Sequence, residues 1–566
     1  MDEAQILARF NWWQENTTDP ELVIELNTFA QQVVAGQMED VSDAFFQELT
    51  FGTAGLRGVI GVGTNRMNVY TVARATQGLA NYLNAHFESP SVAVARDSRN
   101  KGEFFVQVVA RVLAANDITA YLYPRIEPTP ALSFAVRDLG CSAGINMTAS
   151  HNPKEYNGYK VYGADGCQIT SEAADEISAA INKLGYFGDA KMVDFDEAVN
   201  FGKIVWIDDA TLNRFIDAVQ AQSQTSDDVT DAPLKVVYTP LNGTGLECVS
   251  AILDCIGVED IVVVPEQAQP DGNFPTCEYP NPETREALEL GIELCKTEHP
   301  DLLLATDPDA DRVGVACEDG NDYTLLTGNE MGVLLLDYVC RMREQRGEDL
   351  SRGVAVTTIV SSAMVDCLAM DYGFELRRTL TGFKYIGEQI ALLEKDHEED
   401  RFLFGFEESY GYLAGTHVRD KDAIVASMLI CQMAQYYRAQ GKTLVDAMRD
   451  LYEKHGYWLN KTISLSYPGA DGANRMADIM SMLREGDIKM IGVSIVDSVI
   501  DYRDGVDGLP PANVIEFRLT GGSKVIVRPS GTEPKIKVYI FANEITCAGA
   551  KKMLSHLESA MRDLLA

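Results

Sequence analysis

Short apolar runs that end in polar loops recur along this chain of 566 residues, and a helical pattern follows each of them. Three of these runs cover residues 91–95, 234–238 and 353–357. Runs of this length between polar segments are typical of buried strands, and the order strand, loop, helix is typical of α/β units. The pattern therefore predicts three successive α/β units.

The C-terminal end of the chain follows a different pattern. Apolar runs at 514–519 and 524–528 flank Gly521-Gly522, which is a signal for a β-hairpin. A further run at 536–540 predicts a third strand, and an amphipathic helix is predicted from about Cys547. This end of the chain is therefore predicted to fold as an α+β module.

The composition and charge of the chain exclude several classes of partner. The chain is 46% hydrophobic and long enough for several domains. Its formal net charge of −36 argues against nucleic acid or an anionic membrane as a partner. The 11 cysteines form no CxxC pair, and the N-terminus resembles no signal peptide, so we expect a cytoplasmic protein with reduced cysteines. No apolar stretch is long enough to span a bilayer.

Three aspartates occupy alternate positions in the segment 307–312, DPDADR. Mostly apolar runs on both sides of this segment predict two strands. In an extended backbone, residues two apart point to the same side, so Asp307, Asp309 and Asp311 are expected to converge. Carboxylate ligands favour a hard cation such as Mg²⁺ or Ca²⁺, and Arg312 would lie near it.

Two other interpretations of this segment are weaker. A calcium-binding helix–loop–helix would have Glu318 at its twelfth position, as this sequence does. It would also need glycine where Arg312 stands, and helices where strands are predicted. A solvated acidic turn would not need three carboxylates in register between two apolar strands.

The segment 148–153, TASHNP, follows a probable strand at 141–147. Its proline ends strand pairing, so Ser150 is predicted to lie exposed on a tight loop. His151 could orient the hydroxyl, and Lys160 could balance a phosphate or transfer a proton. A phosphate on Ser150 would be a further ligand for the cation at the aspartates. The hydroxyl and the metal site together predict phosphoryl transfer.

Three other loops combine glycine with polar or charged residues. Segment 51–58, FGTAGLRG, contains neither GxGxxG nor a P-loop, so no nucleotide cofactor is predicted. Segment 528–535, RPSGTEPK, combines a guanidinium fork, hydroxyls and a glycine that lets backbone N–H groups approach an anion. Segment 405–409, GFEES, places a carboxylate and a hydroxyl two residues apart, where both can contact neighbouring sugar hydroxyls.

These segments together resemble the α-D-phosphohexomutase superfamily, which includes phosphoglucomutases and phosphomannomutases. TASHNP with the following YNGYK is similar to the family's phosphoserine loop, and DPDADR is similar to its metal loop. GFEES is similar to its sugar-binding loop and RPSGTEPK to its phosphate-binding loop. The forms FGTAGLRG, TASHNPK and DPDADR most resemble the longer bacterial phosphoglucomutases and related enzymes that act on phosphopentoses.

The resemblance implies an α/β fold with three similar α/β domains, which have mixed sheets, and a smaller C-terminal α+β domain around a central cleft. We expect the phosphoserine loop in domain I at 1–203 and the metal loop in domain II at 204–322. We expect the sugar-binding loop in domain III at 323–450 and the phosphate-binding loop in domain IV at 451–566.

The resemblance also implies roles for individual residues. Those expected to bind one Mg²⁺ per chain are Ser150, Asp307, Asp309 and Asp311, with Arg312 near the ion. Those expected to act in catalysis are Ser150, Lys160, Arg57, His151 and Lys421. Those expected to contact substrate are Thr381, Gly382, Lys384, Glu407, Ser409, Arg419, Arg528, Ser530, Gly531 and Thr532.

The expected reaction interconverts α-D-glucose 1-phosphate and glucose 6-phosphate through a phosphoserine. Glucose 1,6-bisphosphate would be the intermediate and the activator, and Lys160 or Lys421 would need a lowered pKa to act as base. Phe406 stands where shorter members usually carry glycine, which leaves a phosphomannomutase or phosphopentomutase open. A sugar bisphosphate synthase and a noncatalytic sensor are further alternatives. We expect sugar phosphates as partners and a monomer or homodimer.

Overall fold

The computed structural model describes residues 2–52, 55–225, 233–320, 322–467, 472–530 and 535–565. Within them, strands form four sheets that follow one another along the chain. The first three sheets are mixed and have helices around them, and the fourth is antiparallel. The predicted fold class is therefore confirmed: three α/β domains precede a C-terminal domain built on an antiparallel sheet.

Three helices precede the first sheet: α1 (Glu3–Asn16), α2 (Pro20–Val34) and α3 (Glu39–Phe45). Asp2 and Asp19 cap the first two helices by accepting hydrogen bonds from backbone N–H groups of the first turn. Trp13 is fully buried where the helices meet. These helices form an apolar cluster of their own beside domain I.

Domain I contains β1 (Gly55–Val59), α4 (Val69–His86), β2 (Ser91–Arg96), α5 (Gly102–Ala115), β3 (Thr119–Leu122), α6 (Thr129–Asp138), β4 (Ala143–Met147), β5 (Tyr156–Gly163), α7 (Ser171–Ile181), α8 (Phe195–Asn200) and β6 (Ile204–Trp206). The sheet order is β1-β5-β4-β2-β3-β6. Strand β5 is antiparallel to both neighbours, and the other pairs are parallel. Its register places Lys160 opposite Asn146 of β4.

Domain II contains α9 (Asp209–Gln220), β7 (Lys235–Thr239), α10 (Gly245–Cys255), β8 (Asp260–Val263), α11 (Pro265–Ala268), α12 (Arg285–Glu298), β9 (Leu302–Thr306), β10 (Val313–Asp319) and β11 (Asp322–Leu326). The sheet order is β11-β10-β9-β7-β8, with β10 antiparallel to both neighbours. The predicted domain boundaries after residues 203 and 322 fall just before β6 and inside β11.

Domain III contains α13 (Gly328–Gln345), β12 (Val354–Thr358), α14 (Met364–Tyr372), β13 (Glu375–Thr379), α15 (Phe383–Lys395), β14 (Phe402–Glu407), β15 (Gly411–Leu413), α16 (Ala423–Arg438) and α17 (Leu444–His455). Short 3-10 turns lie at Leu350–Arg352 and Glu399–Arg401. The sheet order is β13-β12-β14-β15, and only the last pair is antiparallel.

The C-terminal domain contains β16 (Tyr457–Ser466), α18 (Gly472–Glu485), β17 (Met490–Ile491), β18 (Ser494–Asp501), a 3-10 turn at Tyr502–Asp504, β19 (Ile515–Leu519), β20 (Lys524–Pro529), β21 (Lys535–Glu544) and α19 (Cys547–Leu565). The sheet order is β16-β21-β20-β19-β18-β17, and all pairs are antiparallel. The predicted hairpin at Gly521-Gly522 joins β19 to β20.

Apolar contacts join the domains. A continuous buried core extends across domains II and III, where α10 lies against α16. A smaller cluster that includes Ile359, Leu380 and Tyr539 joins domain III to the C-terminal domain. No helix in the described part of the chain combines the length and apolar character needed to cross a bilayer.

The loops with predicted chemistry leave the carboxyl ends of strands. Ser150 follows β4, Asp307 follows β9, and Glu407 is the last residue of β14. An isolated bridge between Arg312 and Gly411 brings the loops of domains II and III together. Ligands of open α/β sheets bind outside the carboxyl ends of parallel strands, so these loops are expected to form a ligand-binding site.

Candidate active site

Asp307, Asp309 and Asp311 converge because the segment after β9 turns sharply. Ala310 has a φ of 46°, and its N–H donates to the carbonyl oxygen of Asp307 at 2.9 Å. Asp307 Oδ1 also accepts from the backbone N–H groups of Asp311 (3.1 Å) and Arg312 (3.0 Å). The three aspartates converge as predicted. The expectation that an extended backbone would bring them together is wrong, because the segment forms a turn.

The three carboxyl groups form a buried cluster in which one oxygen from each lies within 4.8 Å of the others. Asp309 Oδ1 and Asp311 Oδ1 are buried, and among the described residues they have no hydrogen-bond partner. Burial and the neighbouring carboxylates raise the pKa of Asp307 well above its ordinary value, and they also raise the pKa of Asp311. Crowded carboxylate oxygens without donors fit a hard divalent cation, which would relieve their repulsion.

Two lysines, of which Lys421 is buried and Lys160 is largely buried, alternate with aspartates in this cluster. Lys160 Nζ lies 2.8 Å from Asp309 and 3.5 Å from Asp311. Lys421 Nζ lies 3.2 Å from Asp311 and 3.0 Å from Asp420. Although burial favours the neutral amines, the carboxylates raise the pKa of both lysines, and Lys160 holds the pKa of Asp309 below its ordinary value despite burial. The lowered lysine pKa that a base needs is absent from this arrangement, and both side chains are cations.

Ser150 is buried, with 3% of its surface accessible, so its predicted exposure is wrong. Its backbone is left-handed, with φ of 52°, and its N–H donates to Thr148 Oγ1 at 2.8 Å. Its hydroxyl donates to Asp307 Oδ2 at 2.7 Å and lies 3.1 Å from His151 Nδ1. The aspartate turn of domain II covers the serine loop of domain I, which is why the hydroxyl is shielded.

The other residues expected near Ser150 are His151, Arg57 and Arg312. Burial, together with Arg312 and Arg57, lowers the pKa of His151 well below its usual range, so its ring is neutral. Arg57, on β1, reaches the serine loop and donates to Asn152 Oδ1 at 3.2 Å. Arg312 pairs with Glu283 at 2.6 Å. Arg57 therefore contacts the serine loop directly, whereas Arg312 is engaged within domain II.

Glu407 and Ser409 lie together at the carboxyl end of β14. Ser409 Oγ donates to Glu407 Oε1 at 3.0 Å. Burial and Glu407 raise the pKa of the neighbouring Glu408 to about 7. Phe406 is buried in the core of domain III, where a Cβ at Gly332 would lie 2.2 Å from its ring. The ring of Phe406 therefore fills the space beside Gly332 of α13.

Thr381, Gly382 and Lys384 lie around the N-terminus of α15. Lys384 Nζ lies 3.4 Å from Ser171 Oγ, so this loop of domain III reaches domain I. Burial lowers the pKa of Lys384. A loop that links two domains and carries a cation is a suitable place for a substrate contact.

Arg419 is turned away from open space. Its side chain is fully buried, and its guanidinium donates to Glu394 at 2.7 Å and to the carbonyl oxygens of Thr416 and Val418. These contacts fix the segment before α16 to α15. The predicted substrate contact of Arg419 does not fit this placement, because protein groups surround the guanidinium.

Arg528 and Ser530 lie at and just beyond the end of β20 and are partly exposed. The N–H of Ser530 donates to the carbonyl oxygen of Lys535 at 2.7 Å. Arg528 Nε is buried without a hydrogen-bond partner in the described parts of the chain. The residue is partly exposed, and a guanidinium can bind an anion through two parallel N–H groups. The predicted substrate contacts Gly531 and Thr532 lie outside the described residues.

Sequence reasoning missed several buried polar residues that support the site. Thr129 Oγ1 donates to Asp309 Oδ2 at 2.8 Å and accepts from Asn146 Nδ2 at 2.8 Å. Arg99 donates to carbonyl oxygens of the serine loop and pairs with Asp97 at 3.3 Å. A signal for the last two was present, because charged residues directly after a predicted buried strand need a partner.

Comparison with known proteins decides the family. Profiles of phosphoglucomutase/phosphomannomutase match this chain in order: alpha/beta/alpha domain I at 48–186, domain II at 213–320, domain III at 327–455 and the C-terminal domain at 495–543. The chain belongs to the α-D-phosphohexomutase superfamily. The resemblance seen in its loops is thereby confirmed over most of its length.

Relatives of this phosphohexomutase include phosphoglucomutases of Staphylococcus aureus. The one from strain bovine RF122 / ET3-1 is 37% identical over 511 residues, which are 88% of this chain and 90% of that protein. The one from strain MSSA476 is 36% identical over 540 residues, or 93% and 95% of the two chains. The protein is therefore an isomerase of the phosphoglucomutase type.

Solved structures share the fold of this phosphohexomutase. A phosphoglucomutase/phosphomannomutase family protein from Burkholderia thailandensis has a TM-score of 0.68 at 19% identity, covering 92% of this chain and 98% of that one. The open form of parafusin, a phosphoglucomutase from Paramecium, has a TM-score of 0.68 at 19% identity, covering 91% and 94%.

Proposed function

We propose that this phosphohexomutase interconverts α-D-glucose 1-phosphate and glucose 6-phosphate through phosphorylated Ser150 and glucose 1,6-bisphosphate. The main support for this proposal is the position of the Ser150 hydroxyl. It lies 2.7 Å from Asp307, at the edge of a buried carboxylate cluster that fits a divalent cation. A phosphoryl group on this oxygen would lie beside the cation ligands. The relatives that are named phosphoglucomutases support glucose as the sugar.

Asp307, Asp309 and Asp311, with the group on Ser150, would hold one Mg²⁺, because hard oxygen ligands suit this ion. When bound, Mg²⁺ supplies neutralisation of the charge that develops on the transferring phosphoryl oxygens. Thr129 holds the side chain of Asp309 in place through a 2.8 Å hydrogen bond. Arg57 would add positive charge on the serine loop, where it already contacts Asn152.

Transfer begins when the 6-hydroxyl oxygen of glucose 1-phosphate attacks the phosphorus on Ser150. The bond between phosphorus and Ser150 Oγ breaks, and the sugar hydroxyl gives its proton to a base. Lys160 and Lys421 are the candidate bases. Their raised pKa comes from the carboxylates, so each lysine becomes more acidic when it shares those carboxylates with a cation. His151 is neutral and orients Oγ from 3.1 Å.

Other loops would hold the rest of the sugar phosphate. Glu407 and Ser409 would contact the 3- and 4-hydroxyls, and Arg528 with Ser530 would bind the phosphate that does not react. The loop of Lys384 would close the space between domains III and I. The bisphosphate then turns end for end, its 1-phosphate returns to Ser150, and glucose 6-phosphate leaves. Exclusion of water during this turn separates a mutase from a phosphatase.

Initial rates on different sugars test this proposal. The enzyme is assayed with Mg²⁺ on α-glucose 1-phosphate, mannose 1-phosphate and ribose 1-phosphate, each primed with its bisphosphate. We expect the highest kcat/KM for glucose 1-phosphate and no steady release of inorganic phosphate. A preference for ribose or mannose 1-phosphate would replace the assigned sugar and keep the Ser150 chemistry. Steady phosphate release would indicate a phosphatase.

A further inference from the structure

Arg99 lies behind the loop that carries Ser150, and its side chain is completely buried. Nη1 donates to the carbonyl oxygens of Pro153 (2.8 Å) and Tyr156 (2.9 Å). Nη2 donates to the carbonyl oxygens of Ser150 (2.6 Å) and Asn152. One guanidinium therefore gathers four carbonyl groups of a single loop, which would otherwise be buried with unsatisfied acceptors.

The backbone of Ser150 needs this support. A serine with φ of 52° is in the left-handed region, which is unfavourable for residues other than glycine and persists only where the surroundings impose it. Arg99 fixes the carbonyl of Ser150, and Thr148 Oγ1 fixes its N–H at 2.8 Å. Thr148 in turn donates to Asp97 at 2.6 Å, and Asp97 pairs with Arg99 at 3.3 Å. Both polar groups of the Ser150 backbone are therefore held by one buried ion pair.

The same arginine lies where domain II touches domain I. The ring of Phe274 lies 5.0 Å from Arg99 Cζ, within the range of a cation–π contact. Gly272 forms an isolated β-bridge with Arg99. Asn100 Nδ2 donates to the carbonyl oxygen of Gly272 at 3.3 Å. A Cβ at position 272 would lie 2.5 Å from the Asn100 nitrogen, so the two backbones are in close contact. Arg99 therefore locates the serine loop relative to the domain that carries Asp307.

We propose that Arg99 is a positioning residue for phosphoryl transfer. It holds Ser150 in its left-handed conformation and places Oγ against the aspartate turn of domain II, without touching the substrate. The proposal rests on the proposed role of Ser150 as phosphoryl carrier. It assigns to Arg99 an effect on the transfer step alone, because the residues expected to bind the sugar lie in other loops.

The test compares Arg99→Lys, Phe274→Leu and the control Arg96→Gln with the wild type. Arg99→Lys keeps the charge that neutralises Asp97 but cannot bind four carbonyl groups, so we expect kcat to fall about 100-fold, as for a displacement of about 1 Å. KM for glucose 1-phosphate should stay unchanged, which a general loss of structure would not produce. Phe274→Leu should lower kcat by a smaller factor. Arg96 is the last residue of β2 and pairs with exposed Glu103 at 3.5 Å, so Arg96→Gln should leave kcat and KM unchanged.

A second measurement is the rate at which phosphorylated Ser150 loses phosphate to water, relative to mutase turnover. We expect this ratio to rise in Arg99→Lys because the phosphoryl group is displaced. Wild-type kcat in Arg99→Lys, or a rise in KM that accounts for the whole loss, would overturn the proposal. If the wild type prefers ribose 1-phosphate, the same comparison is made with that substrate, so an error in the assigned sugar stays separate from an error about Arg99.

Discussion

Charges of opposite sign alternate in the buried space beside Ser150. Successive contacts of 2.8 to 3.5 Å join Asp309, Lys160, Asp311, Lys421 and Asp420. Asp307 adds a further buried carboxyl group, whose pKa is raised by burial and by Asp309 and Asp311. Buried like charges that are not fully compensated destabilise a fold, and sites of this kind are kept for function.

Asp307→Asn tests this trade between stability and function. The substitution removes a carboxyl group whose ionisation is disfavoured by burial and by Asp309 and Asp311, and it keeps an acceptor for the two N–H groups that Asp307 holds. We therefore expect the metal-free variant to be more stable than the wild type by roughly 1 kcal/mol. Mutase activity and stabilisation by Mg²⁺ should both be lost. Thermal unfolding in EDTA and in Mg²⁺ measures these effects, with exposed Asp254→Asn as the control. A variant that melts below the wild type in EDTA would contradict the interpretation.

Strand periodicity predicts the elements of this fold closely, and it says little about how loops from different domains meet. The run at 353–357 became β12 at Val354–Thr358, and the loops after β4, β9 and β14 carry the residues expected of them. The contact between Thr129 and Asp309 joins residues 180 positions apart, and no local pattern encodes it. The burial of Ser150 and the raised lysine pKa values depend on the same packing between domains. The domain boundaries and residue roles stay predictions.

The segment between β3 and α6 carries a buried acid, Glu127, close to Thr129, which donates a hydrogen bond to Asp309. Glu127 has 2% of its surface accessible and pairs with Arg125 at 3.0 Å, and Thr129 follows two residues later. Burial raises the pKa of Glu127 to about 7 despite Arg125, and Glu247 adds repulsion. The pKa of Glu127 is therefore higher in the folded state than its unfolded value of 4.5. Because the folded state binds this proton more tightly, the folded protein becomes less stable relative to the unfolded chain as the pH rises between these two values.

Glu127→Gln should therefore change stability in a pH-dependent way. At pH 8 the wild type carries the full cost of the buried charge, so the variant should be more stable, by on the order of 2 kcal/mol. At pH 5 the wild-type acid is mostly protonated when folded, and the difference should nearly vanish. Thermal unfolding at both pH values measures the effect, with exposed Glu197→Gln as control. A difference of equal size at both pH values would show that the charge is not its source.

The C-terminal domain meets domain III across an interface that is only partly closed. Lys524 Nζ donates to the carbonyl oxygen of Ile359 at 3.0 Å, and burial, with Arg378, lowers the pKa of Lys524 to about 8. Beside this contact lies a cavity of about 1210 Å³, lined by both domains. This open volume lies between the C-terminal domain and domain III, and relative motion is common at interfaces between domains that are not fully closed.

Arg528→Lys tests whether this domain binds the phosphate that does not react. Lysine keeps the charge and loses the planar fork, so we expect KM for glucose 1-phosphate to rise about tenfold, the equivalent of one charge-assisted hydrogen bond. The kcat value should change little, because the contact is the same in the ground state and the transition state. Steady-state kinetics measure both, with exposed Arg503→Lys as control. A fall in kcat at unchanged KM would place Arg528 at the reacting phosphate.

The most direct test of the whole scheme is the mass of the peptide that contains Ser150 after incubation with glucose 1,6-bisphosphate and Mg²⁺. We expect the wild-type peptide to gain one phosphoryl group at Ser150 and to lose it when excess glucose 1-phosphate is added. Ser150→Ala should gain none and should have no mutase turnover. A wild-type peptide that stays unmodified while the enzyme turns over, or a Ser150→Ala variant with near-normal activity, would contradict phosphoryl transfer through Ser150.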